Sequence, residues 1–244
     1  MIKKIIFKEI TFYNVELNDL DKLFKKKGLF LFPSGPGLTS IESKKEYHNA
    51  LKNSDINFFD SGYFVLLLKL LKNIKVNKFS GYKFFKFYIK FLQKNKNIKI
   101  LSIDPNKNLS NSNKKLFKKI GHNGAKIFNY IAPFYNTKSF SDKKLLKIIN
   151  KIKPNHILIN IGGGTQEVLG FYLKKKIDYK CNILCTGAAI SYFTKDQAPM
   201  NDFIDSLYLG WLIRIIFKPS IFLPRYLMAL KLFNLVLNNK VKTK

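Results

Sequence analysis

The chain has 244 residues, and its 46% hydrophobic content with 23 Phe and 12 Tyr argues against intrinsic disorder and supports one large domain or a domain with an appendage. Lys and Arg number 44 against 15 Asp and Glu, and the formal net charge of +29 calls for an anionic partner: nucleic acid, an acidic membrane face or phosphate-bearing substrates. Nearly all the cations are Lys, as expected of an AT-rich genome, so the positions of the few Arg carry more weight than the total charge.

The predicted elements alternate between short apolar strands and helices of about a dozen residues. After a strand-like segment and a polar helix-like stretch within residues 1–27, strands are predicted at 28–33, 55–59, 98–103, 125–132, 157–161 and 181–185. Helices are predicted at 41–53, 63–71, 112–120, 141–152 and 166–176, the first with a capping-box pattern of Thr39 and Glu42. This alternation predicts an α/β fold, a Rossmann-like and mainly parallel sheet with helices on both faces.

The strand at 157–161 ends in a glycine turn, residues 162–164, which Gln166 and Glu167 follow at once. Its apolar residues predict a strand buried on both faces, and glycines without β-carbons let a ligand approach the main chain. Free N–H groups at the next helix start favour a phosphate or a sugar hydroxyl, and the two side chains can hold hydroxyls or amides. A tight connection without a ligand would have the same pattern.

Polar residues or glycines follow most of the predicted strands directly. In a parallel sheet the carboxyl ends of the strands share one edge, and ligands bind there at the point where the strand order reverses. These residues are Ser34, Asp60, Asp104, Gly162 to Glu167 and Gly187. The sequence therefore predicts that they converge on one site.

The composition changes from residue 206 onward, which divides the chain into an α/β domain at 1–205 and a C-terminal helical appendage at 206–244. The appendage contains no acid, seven Lys or Arg and the only Trp, and Pro219 and Pro224 break it into short helices. Apolar helices with basic residues at their ends, and with Trp211 and Tyr226 near the breaks, suit a bilayer interface. Packing on the main domain or on another subunit is the alternative.

The two cysteines and the N-terminal segment bear on the location of the protein. Cys181 and Cys185 are too few for a disulfide framework, and their spacing on one strand predicts two buried thiols on the same face. The N-terminus lacks the apolar core of an export signal, and no uninterrupted apolar run approaches the ~20 residues that span a bilayer. We therefore expect the protein in the cytoplasm, peripheral on the inner face of the cell membrane.

Three separated blocks, between about Phe30 and Tyr226, resemble a known family in their order and spacing. The blocks are Ala50 to Gly62 with Lys78-Phe-Ser-Gly81, then Ile161-Gly-Gly-Gly-Thr-Gln-Glu167, and then Gly187-Ala-Ala, Ala198-Pro199, Trp211-Leu-Ile-Arg214, Lys218-Pro219 and Arg225-Tyr226. They are similar to motifs of the WecG/TagA/CpsF glycosyltransferases. Members of that family transfer N-acetylmannosamine or a related sugar from a UDP donor to an undecaprenyl-diphosphate-linked sugar.

This resemblance implies a role for each candidate site residue. Asp60 would be the general base that takes the proton of the acceptor hydroxyl in an inverting transfer. Gln166 and Glu167 would hold the donor sugar or nucleotide. Arg214 and Arg225 would neutralise the leaving diphosphate, so neither a metal nor another cofactor is expected. Further substrate contacts are implied for Ser34, Gly62, Lys78, Gly162, Gly164 and Gly187.

The residues alone leave other roles open. An Asp before Ser-Gly is common in turns, and two Arg could present a basic face to anionic lipid. The chain also departs from the family pattern, with Phe32-Pro33-Ser34 in place of Thr-x-Asn at the end of the early strand, Lys78 in place of Arg, and uncharged residues at 191, 197 and 210. These departures leave the identity of the donor sugar open and keep an inactive scaffold member as an alternative.

The sequence thus predicts a UDP-sugar-dependent hexosyltransferase that moves an N-acetylhexosamine, similar to N-acetylmannosamine, to a polyprenyl-diphosphate-linked acceptor in surface polysaccharide synthesis. The expected partners are this donor, this acceptor and an anionic membrane surface, and the sequence leaves the oligomeric state, including a homo-oligomer, open. The rival hypothesis is a non-catalytic nucleic-acid-binding protein, motivated by the charge and by the basic, aromatic passage at 72–96. Helical spacing of its aromatic residues favours core packing over base stacking, so nucleic acid is not an expected partner.

Overall fold

A computed structural model describes residues 2–137 and 139–244, within which nine strands form one sheet. The strands are β1 (Lys4–Phe7), β2 (Ile10–Tyr13), β3 (Gly28–Leu31), β4 (Ile56–Phe58), β5 (Ile100–Asp104), β6 (Ile127–Ile131), β7 (His156–Ile159), β8 (Asn182–Cys185) and β9 (Val241–Thr243). The helices of the main part are α1 (Leu20–Lys26), α2 (Gly35–Leu38), α3 (Lys45–Lys52), α4 (Gly62–Lys72), α5 (Gly81–Lys94), α6 (Lys107–Lys119), α7 (Lys143–Ile152), α8 (Thr165–Lys176) and α9 (Ser191–Thr194). The C-terminal part adds α10 (Asp202–Ser206), α11 (Gly210–Phe217), α12 (Pro219–Ala229) and α13 (Leu232–Leu237).

The order of the strands across the sheet is β6-β5-β7-β8-β3-β4-β2-β1-β9. All pairs from β6 to β2 are parallel, whereas β1 pairs antiparallel with both β2 and β9. The chain leaves β5 toward β6 but leaves β7 toward β8, so the connections diverge between β5 and β7 and open a crevice at the carboxyl edge. The predicted Rossmann-like, mainly parallel α/β fold is therefore confirmed.

Two apolar clusters, one containing Leu31, Ile159 and Leu169 and the other Phe30, Leu158 and Phe84, pack the sheet between helices. Neighbouring strand residues belong to different clusters because successive side chains point to opposite faces of a strand. Cys181 and Cys185 are both buried in the first cluster, as predicted. In the passage at 72–96 the fully buried aromatic residues of α5 confirm core packing; they are Phe84, Phe85 and Tyr88.

Three local predictions are corrected by the structure. The helix predicted from residue 41 begins at Lys45, because the Thr39 hydroxyl donates to the Pro36 carbonyl at 2.8 Å and caps nothing. The helix predicted from residue 112 begins at Lys107, where the Asn106 side chain accepts from the Leu109 N–H at 3.0 Å. The opening segment is a hairpin rather than one strand, and its turn places Lys8 and Glu9 at positive φ without the usual Asn-Gly signal.

The C-terminal helices return to the main part of the molecule. Helices α11 and α12 pack on each other, α12 also packs on α2, and α13 packs on α4. Leu232 and Val236 of α13 are fully buried in the first apolar cluster, and β9 extends the sheet beside β1. The basic, apolar, helical character of this segment is confirmed, whereas its separation at residue 206 as a domain stays a prediction.

Candidate active site

A cavity of about 1280 Å³ opens at the carboxyl edge of the sheet, beneath α11 and α12. Ten of the eleven predicted site residues line it, and they come from the segments after four different strands and from the C-terminal helices. These ten are Ser34, Asp60, Gly62, Lys78, Gly162, Gln166, Glu167, Gly187, Arg214 and Arg225. Gly164 is not part of the lining. The structure therefore brings most of the predicted residues together at one cavity, while the roles assigned to them stay predictions.

The Asp60 carboxylate lies between the starts of two helices. Ser61 caps α4 by accepting a hydrogen bond from the Phe64 N–H at 3.2 Å. Asp60 Oδ1 accepts a hydrogen bond from the Gly81 N–H, at the first residue of α5, at 2.8 Å. Within the described residues no hydrogen bond reaches the other oxygen, Oδ2. One oxygen therefore fixes the carboxylate, and the other is available to a substrate hydroxyl.

The environment of Asp60 makes its carboxylate more basic. Burial raises the pKa of Asp60 above its usual value, while the Gly81 hydrogen bond and the charges of Arg214 and Lys78 lower it in part. Neither cation forms an ion pair with Asp60 in the described part of the chain. A carboxylate with a raised pKa accepts a proton more readily than a solvated one, which suits a general base.

Glu167 is a second buried carboxyl group at the cavity, but both of its oxygens are already engaged. Oε2 accepts a hydrogen bond from the Gly164 N–H at 2.6 Å, and Oε1 accepts one from the Gln166 side chain at 3.0 Å. Burial raises the pKa of Glu167 to about 7. These contacts close the glycine turn, in which Gly164 has a φ of +90° that a residue with a side chain rarely adopts. Glu167 therefore shapes the turn, and of the two carboxylates only Asp60 has an oxygen without a hydrogen bond in the described residues.

Helices α11 and α12 cover the cavity, and we call them its roof. Arg214 extends from α11 into the cavity. Its guanidinium lies over the Tyr192 ring, 5.2 Å from the ring centre, and Nη1 donates to the Tyr226 hydroxyl at 3.3 Å. Nε is buried and has no hydrogen-bond partner in residues 2–137 and 139–244. Arg225 is exposed on α12, with its guanidinium 5.8 Å from the centre of the Phe222 ring. The site thus has one enclosed guanidinium with free donors and a second one at its rim.

Lys78 and Gly62 hold the segment that leads into the roof. The Lys78 ammonium pairs with Asp205 Oδ1 at 2.7 Å, and Asp205 Oδ2 accepts from the Ser80 hydroxyl at 2.8 Å. A β-carbon on Gly62 would lie 2.3 Å from the Tyr208 ring, so only glycine permits this approach. The Lys78 ammonium is therefore already paired within the protein. Direct contact between Lys78 and the substrate stays a prediction.

Two other predicted residues have local backbone roles. The Ser34 side chain caps α2 by accepting from the Gly37 N–H at 3.3 Å. Gly187 has a φ of +56°, and a β-carbon there would lie 3.3 Å from the Gln166 amide nitrogen. Gly162, in contrast, has open space where a side chain would stand. The absence of a side chain at Gly187 therefore leaves room for the Gln166 side chain.

Some residues of the site were not recognised in the sequence. Four residues of the cavity lining belong to this group: Asn160, Thr186, Tyr192 and Tyr226. For Asn160 the available signal was a polar residue within the last two positions of an apolar run. Asp104, which was expected at the site, is fully buried behind the lining, where its carboxylate accepts hydrogen bonds from four side chains. These donors are Ser102, Asn113, Asn129 and Asn160. Asp104 therefore supports the site from behind.

The described residues contain no group of three or more His, Cys, Asp or Glu side chains that could hold a metal ion. The expectation that the reaction needs no metal stays a prediction.

Comparison with known proteins adds one finding. A family model described as "Glycosyl transferase WecG/TagA/CpsF family" matches residues 4–244, which is essentially the whole chain. No curated protein matches the chain.

Proposed function

Because the chain belongs to the WecG/TagA/CpsF family, whose members are glycosyltransferases of cell-surface polysaccharide synthesis, we propose that it transfers an N-acetylhexosamine from a UDP donor to a polyprenyl-diphosphate-linked acceptor. The donor sugar in this proposal is similar to N-acetylmannosamine. The proposal depends above all on the contacts of Asp60, whose Oδ2 is free in a cavity with an enclosed guanidinium in its roof.

The transfer proceeds with inversion in one displacement. The acceptor hydroxyl oxygen bonds to the anomeric carbon of the donor sugar while the bond from that carbon to the phosphate oxygen breaks. Oδ2 of Asp60 takes the hydroxyl proton, and UDP departs with the bonding electron pair from the opposite face of the sugar. The hydrogen bond from Gly81 to Oδ1 keeps the carboxylate oriented during this step.

The leaving diphosphate gains negative charge in this reaction, and the roof supplies donors for it. Arg214 has five N–H donors, one of which donates to the Tyr226 hydroxyl. Arg225 at the rim can add a second charge because its guanidinium is exposed. Charge-assisted hydrogen bonds from arginines stabilise a departing diphosphate directly. A metal ion is not required for this division of roles.

Exposed apolar side chains on α4 and on the C-terminal helices support a peripheral membrane location. Among them are Leu66, Leu70, Trp211, Ile216, Phe217, Ile221, Leu223, Leu227, Met228 and Phe233, with Leu230 between α12 and α13. Lys218, Arg225 and Lys231 lie among them, which suits an anionic lipid surface that carries the acceptor. We define these residues as the roof face.

One segment of the roof face, Pro219–Leu237, is by length and composition able to cross a membrane. Arg225 and Lys231 interrupt it, and its second half buries Leu232 and Val236 in the protein core. A helix that is held in the core on one side can lie in the lipid interface on the other. We therefore favour binding of this segment in the lipid interface over a membrane span. Whether the protein forms a homo-oligomer stays a separate expectation.

A transfer assay tests the proposed function. Purified protein, UDP-N-acetylmannosamine and a polyprenyl-diphosphate-linked N-acetylhexosamine should yield UDP and an extended lipid in equal amounts. Thermal stabilisation by UDP without any transfer would instead support the inactive scaffold member. Binding to arbitrary DNA with a steep salt dependence, and no stabilisation by UDP, would favour the nucleic-acid-binding rival.

A further inference from the structure

The cavity extends along helix α4, away from Asp60. Gly62, Leu66 and Lys69 all line it, and their spacing places them on one face of α4 over two helical turns. At a rise of 1.5 Å per residue, this face carries the lining about 10 Å along the helix axis. None of the contacts described above for Arg214 or for the glycine turn lies on this face. The cavity therefore has a part that the donor contacts leave unused.

Leucines of the C-terminal helices form the other wall of this part. Leu223, Leu227 and Leu230 line the cavity and lie at helical spacing on one face of α12 and the residue after it. They are 45%, 58% and 59% exposed. Because α13 packs on α4, the end of α12 lies beside α4. These leucines also belong to the roof face, so this part of the cavity opens at the surface that is proposed to contact lipid.

Two lysines give the same part of the cavity an unpaired positive charge. Lys69 and Lys75 line it and are exposed. Within residues 2–137 and 139–244, neither ammonium group forms a hydrogen bond or an ion pair. The acidic residues of the described lining lie elsewhere, at Asp60, in the glycine turn and in the ion pair of Lys78. We call the part formed by Leu66, Lys69, Lys75, Leu223, Leu227 and Leu230 the α4 arm.

The order of the strands separates the α4 arm from the donor side of the cavity. Gly187 and Tyr192, over which the Arg214 guanidinium lies, follow β8, whereas α4 follows β4. Strand β3 lies between β8 and β4, which puts about 10 Å between the two sides. In an inverting displacement the acceptor hydroxyl approaches the sugar from the face opposite to the leaving UDP. If Arg214 holds the diphosphate of UDP, the α4 arm therefore lies on the acceptor side.

We propose that the α4 arm binds the lipid-linked diphosphate of the acceptor. Lys69 and Lys75 neutralise the diphosphate, and the leucines of α12 contact the first units of the polyprenyl chain. The length of the arm leaves room for one sugar ring between Asp60 Oδ2 and the Lys69 ammonium. A nucleotide donor has no apolar chain that would use the leucines, whereas the acceptor has both a diphosphate and such a chain. This inference rests on the proposed function and adds the residues that hold the acceptor.

Lys69→Gln tests the charged half of the α4 arm, with farnesyl diphosphate as the probe. Titration calorimetry is carried out in saturating UDP, which occupies the donors of Arg214. Farnesyl diphosphate should bind the wild type and bind Lys69→Gln about tenfold more weakly, the loss of one charge-assisted hydrogen bond. The melting temperature should not change, because Lys69 is exposed and unpaired. Lys69→Arg, which keeps the charge, should keep most of the affinity.

Lys72→Gln is the matched control on the same helix. Lys72 lies outside the cavity lining and donates to the Leu237 carbonyl at 3.0 Å, so the affinity for farnesyl diphosphate should not change. Leu227→Ser tests the apolar half of the arm. It should weaken the binding of farnesyl diphosphate about fivefold and leave the binding of inorganic pyrophosphate unchanged, because only the former has a chain that contacts the leucine.

Three results would overturn the acceptor site. They are an unchanged affinity for farnesyl diphosphate in Lys69→Gln, complete displacement of farnesyl diphosphate by UDP, and no binding of farnesyl diphosphate to the wild type. Weaker binding of Lys69→Gln to vesicles of phosphatidylglycerol and phosphatidylcholine, with unchanged affinity for farnesyl diphosphate, would assign Lys69 to lipid headgroups and overturn it as well. Binding of farnesyl diphosphate that depends on Lys69, in a protein that neither binds UDP nor transfers sugar, would support the α4 arm and overturn the proposed function alone.

Discussion

Removal of the Arg214 side chain is expected to change the stability of the free protein little and to weaken donor binding strongly. Its replacement by methionine would remove a hydrogen bond to Tyr226 of about 1 kcal/mol and a cation–π contact with Tyr192 of about 0.5–1 kcal/mol. It would also remove a buried, unpaired N–H, whose desolvation costs about 1–3 kcal/mol. These effects nearly cancel, so Arg214→Met should shift Tm by no more than about 4 °C.

The effect of Arg214→Met on the donor should be large. Loss of two charge-assisted hydrogen bonds to the diphosphate, at about 1.5 kcal/mol or more each, lowers UDP affinity roughly a hundredfold or more. Because negative charge on the diphosphate grows as the sugar leaves, kcat should fall as well. Titration calorimetry with UDP, a transfer assay and a thermal melt measure the three quantities.

Arg225→Met is the matched control for this experiment, because Arg225 is exposed at the rim and should affect UDP affinity less. Wild-type UDP affinity and transfer rate in Arg214→Met would refute the assignment of Arg214 to the diphosphate. A fall in Tm of more than about 10 °C would show that Arg214 is structural instead.

Two further predictions concern groups around the site. Asp205→Asn should lower stability by about 1–2 kcal/mol, because it weakens a largely buried ion pair with Lys78, and the melting temperature should fall by about 4 °C. Asp202→Asn, which breaks an exposed ion pair of the same kind on the same helix, should change nothing measurable, and an equal effect of both would contradict this account. The pKa of Glu167 is raised to about 7, so the folded chain binds the carboxyl proton of Glu167 more tightly than the unfolded chain does. The free energy of unfolding should therefore fall between about pH 4.5 and pH 7 and level off above pH 7. Glu167→Gln should reduce this fall in melts recorded across the range, leaving the part that the raised pKa of Asp60 contributes, and an unchanged pH profile would show that another group causes it.

The parallel part of the fold could be predicted from the sequence because its signals are local. Each inner strand is a short apolar run, and each is followed by a helix whose pattern lies within a dozen residues. The glycine turn was recognised for the same reason, since three consecutive glycines after a buried strand need no distant information. The convergence of Ser34, Asp60 and Gly187 then followed from the geometry of a parallel sheet.

Elements that depend on distant partners could not be predicted. Strand β9 has three residues and pairs with β1 at the opposite end of the chain, so no local pattern identifies it. The N-terminal hairpin turns at Lys8 and Glu9, whose positive φ is enforced by the pairing of the strands rather than by turn-forming residues. The capping-box pattern at Thr39 predicted the helix start wrongly because the Thr39 hydroxyl donates to the Pro36 carbonyl instead.

The chemistry of the site was only partly readable for a related reason. Asp60 was identified by its family motif, but its fixation by the Gly81 N–H involves a backbone group that carries no sequence signal. Asn160 and Thr186 become neighbours only through the register of β7 and β8. Whether a polar atom is left unpaired depends on all its surroundings, which one sequence does not reveal.

The rate of sugar transfer by Asp60→Asn tests the central claim most directly. Asparagine can keep the hydrogen bond from the Gly81 N–H while losing the ability to take a proton. With intact folding and UDP affinity as controls, the transfer rate should fall by about 10²–10⁴, the range that a general base contributes. A folded Asp60→Asn variant that transfers sugar at the wild-type rate would contradict the account.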